Sequence, residues 1–330
     1  MLQNDAIQKF IKDIPGRTNC SASDMYSFVE CLRNAPVDVL LQATDFFQDL
    51  TDEGIKLDFT VGPSVDGELY PKHPLLLLND PNSAQAKFFK SLDFIAGTVQ
   101  QEGSLVYMEV SPQIMERYKF DINEKIPAEF ICQGMVKTFV EIFYKNNENI
   151  YKTLCDFYTS ETDMDRQSVR AADLYADIIF TPATAEILDL HARLGGRTYQ
   201  YIFSKLGPKR FGPDAPKWFK TNGHGDELMF LFHMDNDGKD GFFDVKMADI
   251  DLKISRTTIE YWTSFAKTGI PCTGETGLPW IEYETDKKIY MDFADDISLK
   301  QRAKHKTVKF WLEELPKIDL NSPFILHDEL

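Results

Sequence analysis

The sequence predicts an α/β protein, a central and mostly parallel sheet flanked by helices. Three observations carry this expectation. Residues 94–99 (FIAGTV) form a short apolar run between charged and polar neighbours, the pattern of a strand buried on both faces. Residues 198–203 (TYQYIF) form a second strand, with Tyr199, Tyr201 and Phe203 sharing one face by the period of two. Around these runs, apolar residues recur at the helical spacing i, i+3, i+4, i+7.

Taken in order, Met25, Phe28, Val29 and Leu32 set an amphipathic helix within residues 21–33. A second short helix after Pro36 turns Val37, Leu40 and Leu41 inward. Residues 59–67 (FTVGPSVDG) read as extended chain entering a turn, and residues 84–90 as helix. The strand at 94–99 runs directly into Gln100-Gln101-Glu102-Gly103. Residues 112–149 are helical with loops. Residues 174–194 are helical with a break near Pro182, and stop at Gly195-Gly196, good C-cap chemistry. The stretch 205–222 carries Gly207, Pro208, Gly212, Pro213 and Pro216, so it is a loop. It leads to Gly223-His224-Gly225-Asp226-Glu227-Leu228. Ile254, Thr258, Ile259, Trp262 and Phe265 mark a helix over 252–267 that ends at Gly269. Residues 288–293 form a small strand, and Val308, Trp311, Leu312 and Leu315 a last helix. No repeat, low-complexity tract or linker divides the chain, so residues 1–330 read as one domain.

Composition narrows the function. Of 330 residues, 43% are hydrophobic and 27% charged, which is globular and not disordered. Lys+Arg 36 against Asp+Glu 52 gives a net charge of −16, which disfavours nucleic acid and anionic membrane surfaces as partners. No apolar run is long enough for a transmembrane segment. The chain holds no C-x-x-C, H-E-x-x-H, G-x-G-x-x-G or P-loop pattern, so no metal and no cofactor is expected.

The two ends disagree about compartment. Residues 327–330, His327-Asp328-Glu329-Leu330, spell HDEL, a receptor-read address for the endoplasmic reticulum lumen, and a retention receptor would be the implied partner. The N-terminus MLQNDAIQKFIKDIPG has no apolar core of a signal peptide. Either the HDEL is accidental and the protein cytosolic, or upstream sequence is missing. Asn19-Cys20-Ser21 is an acceptor pattern for glycosylation of Asn19, and Cys20 and Cys31 flank a helix-like segment. The bland readings are a chance sequon and two buried thiols. Together with HDEL, these signals favour a lumenal protein with missing upstream sequence.

In open α/β sheets, function collects at the carboxyl ends of strands. Glu102 lies just past the first strand, and His224 in a Gly-flanked loop past the second. Such a carboxylate and imidazole can form a pair in which the acid fixes the tautomer of the base. The alternative is a solvated glutamate and a histidine bonded to backbone.

The chain resembles the C-terminal part of the type-B carboxylesterases, the family that includes cholinesterases and juvenile hormone esterases. Cys20 and Glu30-Cys31-Leu32-Arg33 resemble its "C…CLR" segment, and residues 59–67 its "F-x-P-V-x-D-G" stretch. Gly97 to Gly103 resembles the segment that carries the catalytic acid, and His224-Gly225-Asp226-Glu227-Leu228 the "H-G-x-E-L" segment of the catalytic histidine. Asp177, Phe180 and Pro182, then Tyr199 to Phe203, then Trp262 to Pro271, resemble three further pieces in the same order. The resemblance implies an α/β-hydrolase fold, Glu102 and His224 as acid and base, a Cys20–Cys31 disulfide and a small-molecule ester substrate. It also makes HDEL a real address. Asp226, Glu227 and Tyr199 are expected to hold the fold, and Met108 to pack in the core rather than line a gorge. Cys132, Cys155 and Cys272 receive no partners, and the missing cholinesterase disulfide pattern tilts away from acetylcholine.

The family's nucleophile sits in a G-x-S-x-G elbow, upstream of the position that Cys20 matches. These 330 residues contain no such pattern and no Gly-rich oxyanion turn. The expectation is a family member without its N-terminal strands, inactive alone and, with an interior strand left as an edge, prone to aggregate. The leading reading is therefore the acid-and-histidine part of a carboxylic ester hydrolase. A non-catalytic binding or adhesion module of the same family is the alternative, and a short regulator of a full-length relative the third.

Overall fold

The two apolar runs become strands residue for residue. A computed structural model describes residues 14–21, 23–43, 65–210, 214–232, 246–274 and 278–318. The elements used below are α1 (Met25–Asn34), α2 (Val37–Ala43), α3 (Ala84–Ser91), β1 (Phe94–Val99), α4 (Glu148–Tyr158), α5 (Met164–Ile179), α6 (Thr181–Leu194), β2 (Thr198–Phe203), α7 (Asp249–Thr268), β3 (Ile289–Phe293) and β4 (Ser298–Gln301). β1 and β2 pair in parallel from Phe94↔Thr198 to Val99↔Phe203, and β3 joins β2 in parallel from Tyr201↔Met291 to Phe203↔Phe293. β4 returns antiparallel against β3, giving the order β1-β2-β3-β4. Sequence reasoning missed β4. Its residues SLKQ lack an apolar face, and only their pairing with β3 makes them a strand.

Parallel neighbours need long crossovers, and these place helices on both faces of the sheet. On one face Val99, Tyr199, Phe203, Met291 and Phe293 pack with Ile254 and Tyr261 of α7 and with Trp280. Thr98, Gln200 and Ile202 point the other way, toward Thr181, Thr184 and Ala185 of α6. β1 has no described neighbour on its second side, and Phe94 to Gly97 are half-buried. A second core lies among the helices after β1 and includes Val106, Phe130, Tyr158, Trp218 and Phe310.

Cys20 and Cys31 form a disulfide with Cα atoms 5.8 Å apart, closing a loop that contains most of α1. Cys132 and Cys155, left without partners by the sequence, are bonded to each other, joining the π-helical turn Ile131–Val136 to α4. Cys272 is free and exposed. The inward face expected of α2 is corrected, whereas α1 is amphipathic as expected except that Met25 faces out. Phe28 is buried, but Met25, Val37 and Leu41 are 63%, 70% and 64% exposed. Among the described residues, Phe28 and Leu32 of α1 pack with Ile14 and Cys20 in a small cluster separate from both larger cores. Residues 59–64 and the HDEL terminus lie outside the described residues. Among the described residues no helix is long and apolar enough to cross a membrane.

Candidate active site

β1 ends at Val99 and turns through Gln101 into the 3-10 turn Glu102–Ser104. The turn doubles the chain back, so that Glu102 Oε1 accepts the N–H of Val99 at 2.8 Å. This leaves Oε2 for a second partner. β2 lies beside β1, and the chain after it returns to the same end of the sheet. There Gln101 and Gly223 form an isolated parallel bridge that continues the β1–β2 pairing. His224 follows, and its Nδ1 lies 2.6 Å from Glu102 Oε2.

An ionised carboxylate only accepts, so the proton of this bond sits on Nδ1 and the lone pair of the neutral ring on Nε2. Glu102 is 6% exposed, whereas the His224 side chain is 39% exposed. The pair thus has a buried anchor and an accessible base. The hydrogen bond that Nδ1–H donates to Glu102 pushes the His224 pKa above its ordinary value, and burial opposes it. The arrangement can accept a proton from a hydroxyl brought to Nε2 and hold the resulting cation against a fixed anion.

The histidine loop is tied down along its main chain. Asn222 Nδ2 donates to the Phe203 carbonyl at the end of β2, at 2.6 Å. Gly223 N–H donates to Asp226 Oδ2 at 2.7 Å, and His224 N–H donates to Ser104 Oγ at 2.8 Å. Arg210 lies 3.7 Å from Asp226, donates to the Thr221 carbonyl and sits over the Phe219 ring. Gln101 Nε2 donates to Asp173 of α5 at 2.7 Å. Two glycines permit the close approaches. A Cβ on Gly103 would lie 1.7 Å from the Ala172 carbonyl oxygen, and one on Gly223 would lie 2.6 Å from Ser104 Oγ.

Glu102 and His224 are therefore brought together. Asp226 holds the loop, and Tyr199 packs against Phe265 and Trp280 in the core. Met108 packs against the helical core. Glu227 is less simple. Its Oε2 is buried with no hydrogen-bond partner among the described residues. Burial, reinforced by the nearby Glu102 charge, pushes its pKa up to about 7. Ser104, Gln101 and Arg210 were not singled out from the sequence. Ser104 and Gln101 flank the acid, but the contacts of all three arise only when the two loops meet. Phe180, seen in the sequence only as part of a spaced motif, places its ring 5.1 Å from the imidazole.

The chain is similar to known proteins along nearly its whole length. Residues 1–311 match the model of the carboxylesterase family. The chain is 25% identical over 322 residues to bile salt-activated lipase of Rattus norvegicus, covering 93% of this chain and 48% of that protein. It is 24% identical over 343 residues to neuroligin-3 of Mus musculus, covering 97% and 37%. It is 26% identical over 333 residues to neuroligin-2 of Homo sapiens, covering 94% and 36%. The chain thus spans about half or less of the length of these relatives. With a central sheet of the order described and helices on both faces, this chain belongs to the carboxylesterase family and carries part of its α/β-hydrolase fold.

Proposed function

We propose that these residues are the acid-and-histidine part of a carboxylic ester hydrolase working through an acyl-enzyme. The observation that carries this is the 2.6 Å contact between Glu102 Oε2 and His224 Nδ1, with the ring accessible from outside. The nucleophile is a serine hydroxyl supplied by sequence outside these 330 residues. When its oxygen bonds to the ester carbonyl carbon, His224 Nε2 takes the hydroxyl proton. The same proton passes to the alkoxide as the carbon–oxygen bond to the alcohol breaks. Water then repeats the sequence on the acyl-enzyme and releases the carboxylic acid. Glu102 stays ionised throughout, keeps the proton on Nδ1 and offsets the charge of the imidazolium. The name of the lipase relative supports a small-molecule ester as substrate.

The HDEL terminus and the exposed Asn19 support residence in the endoplasmic reticulum lumen, glycosylation at Asn19 and a retention receptor as partner. The Cys20–Cys31 and Cys132–Cys155 disulfides agree with an oxidising compartment. The test is hydrolysis of p-nitrophenyl acetate and butyrate by the product of the complete reading frame. The expected result is turnover that His224→Ala lowers by at least about 10³-fold. A complete product with no hydrolysis of any ester tried, and with Glu102 and His224 intact, favours the non-catalytic binding module instead.

A further inference from the structure

We propose that Phe180 is a positioning residue for His224, held beside the imidazole by a helix junction that a buried hydrogen-bond chain keeps in place. The proposal rests on the acid–base reading of Glu102 and His224 and adds a third constraint to it. The junction has a local cause. Pro182 has no N–H and its ring crowds the carbonyl four residues back, so α5 stops at Ile179 and α6 starts afresh at Thr181. Phe180 stands between them with φ −119° and ψ −58°, its N–H still bonded to the Ala176 carbonyl at 2.8 Å. Its ring lies 5.1 Å from the His224 ring at an interplanar angle of 38°.

Just before the junction, Asp177 is buried within the protein. Its Oδ2 accepts from the Tyr158 hydroxyl at 2.7 Å, and that hydroxyl accepts from Trp311 Nε1, also at 2.7 Å. α4, α5 and the π-helical turn Phe310–Glu314 therefore meet one turn of helix away from Phe180. Tyr158 is fully buried, and Arg170 lies over its ring. These contacts have no part in proton transfer, yet they fix the backbone from which Phe180 projects.

The imidazole needs this support. A single hydrogen bond at Nδ1 leaves the ring free to rock about the Nδ1···Oε2 line, and rocking displaces Nε2. An aromatic ring tilted at 38° with its centroid 5.1 Å away restricts the motion from one side. Misplacement by about 1 Å is enough to lower a rate by about 10²-fold. The charged groups around the imidazole are Glu102 from the neighbouring loop and Asp226 and Glu227 from its own. None of them is an aromatic side chain that could pack beside the ring as Phe180 does.

The experiment compares Phe180→Ala, Phe180→Leu and Phe180→Tyr in the complete protein. In Phe180→Ala, kcat is expected to fall about 10- to 100-fold while KM changes less than about threefold. The acid limb of kcat/KM moves to higher pH, because water reaching the ring relieves the burial that opposes His224 protonation. Phe180→Tyr keeps the ring and restores both values, and Phe180→Leu falls between. Tyr158→Phe keeps the volume but removes the donor to Asp177, and shifts both readouts in the same direction by less. NMR titration of the His224 imidazole follows the same upward shift without any substrate. A shift by NMR in a protein with no esterase activity sinks the hydrolase reading and leaves the role of Phe180 standing. Wild-type kcat and wild-type His224 titration in a folded Phe180→Ala overturn the proposal. If that variant does not fold, wild-type values in Phe180→Leu overturn it equally.

Discussion

Asp177 gives a stability prediction whose size can be worked from its surroundings. Its carboxyl is 3% exposed, and burial pushes its pKa from 3.8 up to about 7, with the Asp173 charge adding to the rise and Lys304 opposing it. The folded protein therefore holds this proton more tightly than the unfolded chain. The stability so gained is fully present below pH 3.8 and is lost as pH rises to about 7. The span of 7 − 3.8 = 3.2 pH units corresponds to about 4 kcal/mol at 1.36 kcal/mol per unit. Asp177→Asn is uncharged at every pH and keeps an oxygen for the Tyr158 hydroxyl. It should match the wild type near pH 4 and exceed it by a few kcal/mol at pH 8. The assay is urea unfolding of both proteins from pH 4 to pH 8. Glu227 titrates over a similar window with the same sign, so the difference between the two curves is the quantity to read. Parallel curves would show that Asp177 ionises freely in the folded protein, and that the buried anchor behind Phe180 is wrongly drawn.

Three further outcomes follow from the geometry. Glu102→Gln removes the acceptor that fixes the Nδ1 proton, and should lower kcat by about 10³- to 10⁴-fold with little change in KM, measured on p-nitrophenyl esters. Gly103→Ala cannot be accommodated, because its Cβ would overlap the Ala172 carbonyl, and should lower stability by several kcal/mol as well as activity. Cys132→Ser with Cys155→Ser opens a link across 23 residues and should lower stability by about 3 kcal/mol on the loop-entropy account, read as a drop in Tm.

The parts of the fold legible in the sequence are those whose local pattern and tertiary role coincide. β1 and β2 are apolar runs because they are buried, and their ends fall where polar residues begin. The break at Pro182 and the stop at Gly195 follow from backbone chemistry alone. β4 was not legible because its residues carry no strand signal apart from β3. The pairing of Cys132 with Cys155 was not legible because no spacing rule links two helices that meet only in the packed core. The outward Met25, Val37 and Leu41 show the reverse failure, since a helical period says which residues align and not what they meet. At the site, Glu102 and His224 were visible as strand-end residues flanked by glycine. Ser104, Arg210 and Phe180 acquire roles only through neighbours far away in the chain.

A fluorophosphonate probe reads the central claim most directly, because it reacts with a serine only where a base has activated it. Applied to the product of the complete reading frame, it should label one serine outside residues 1–330, at full occupancy, and His224→Ala should abolish the labelling. Labelling that persists unchanged in His224→Ala, or no labelling of a correctly folded wild-type protein, would contradict the assignment of Glu102 and His224 as its acid and base.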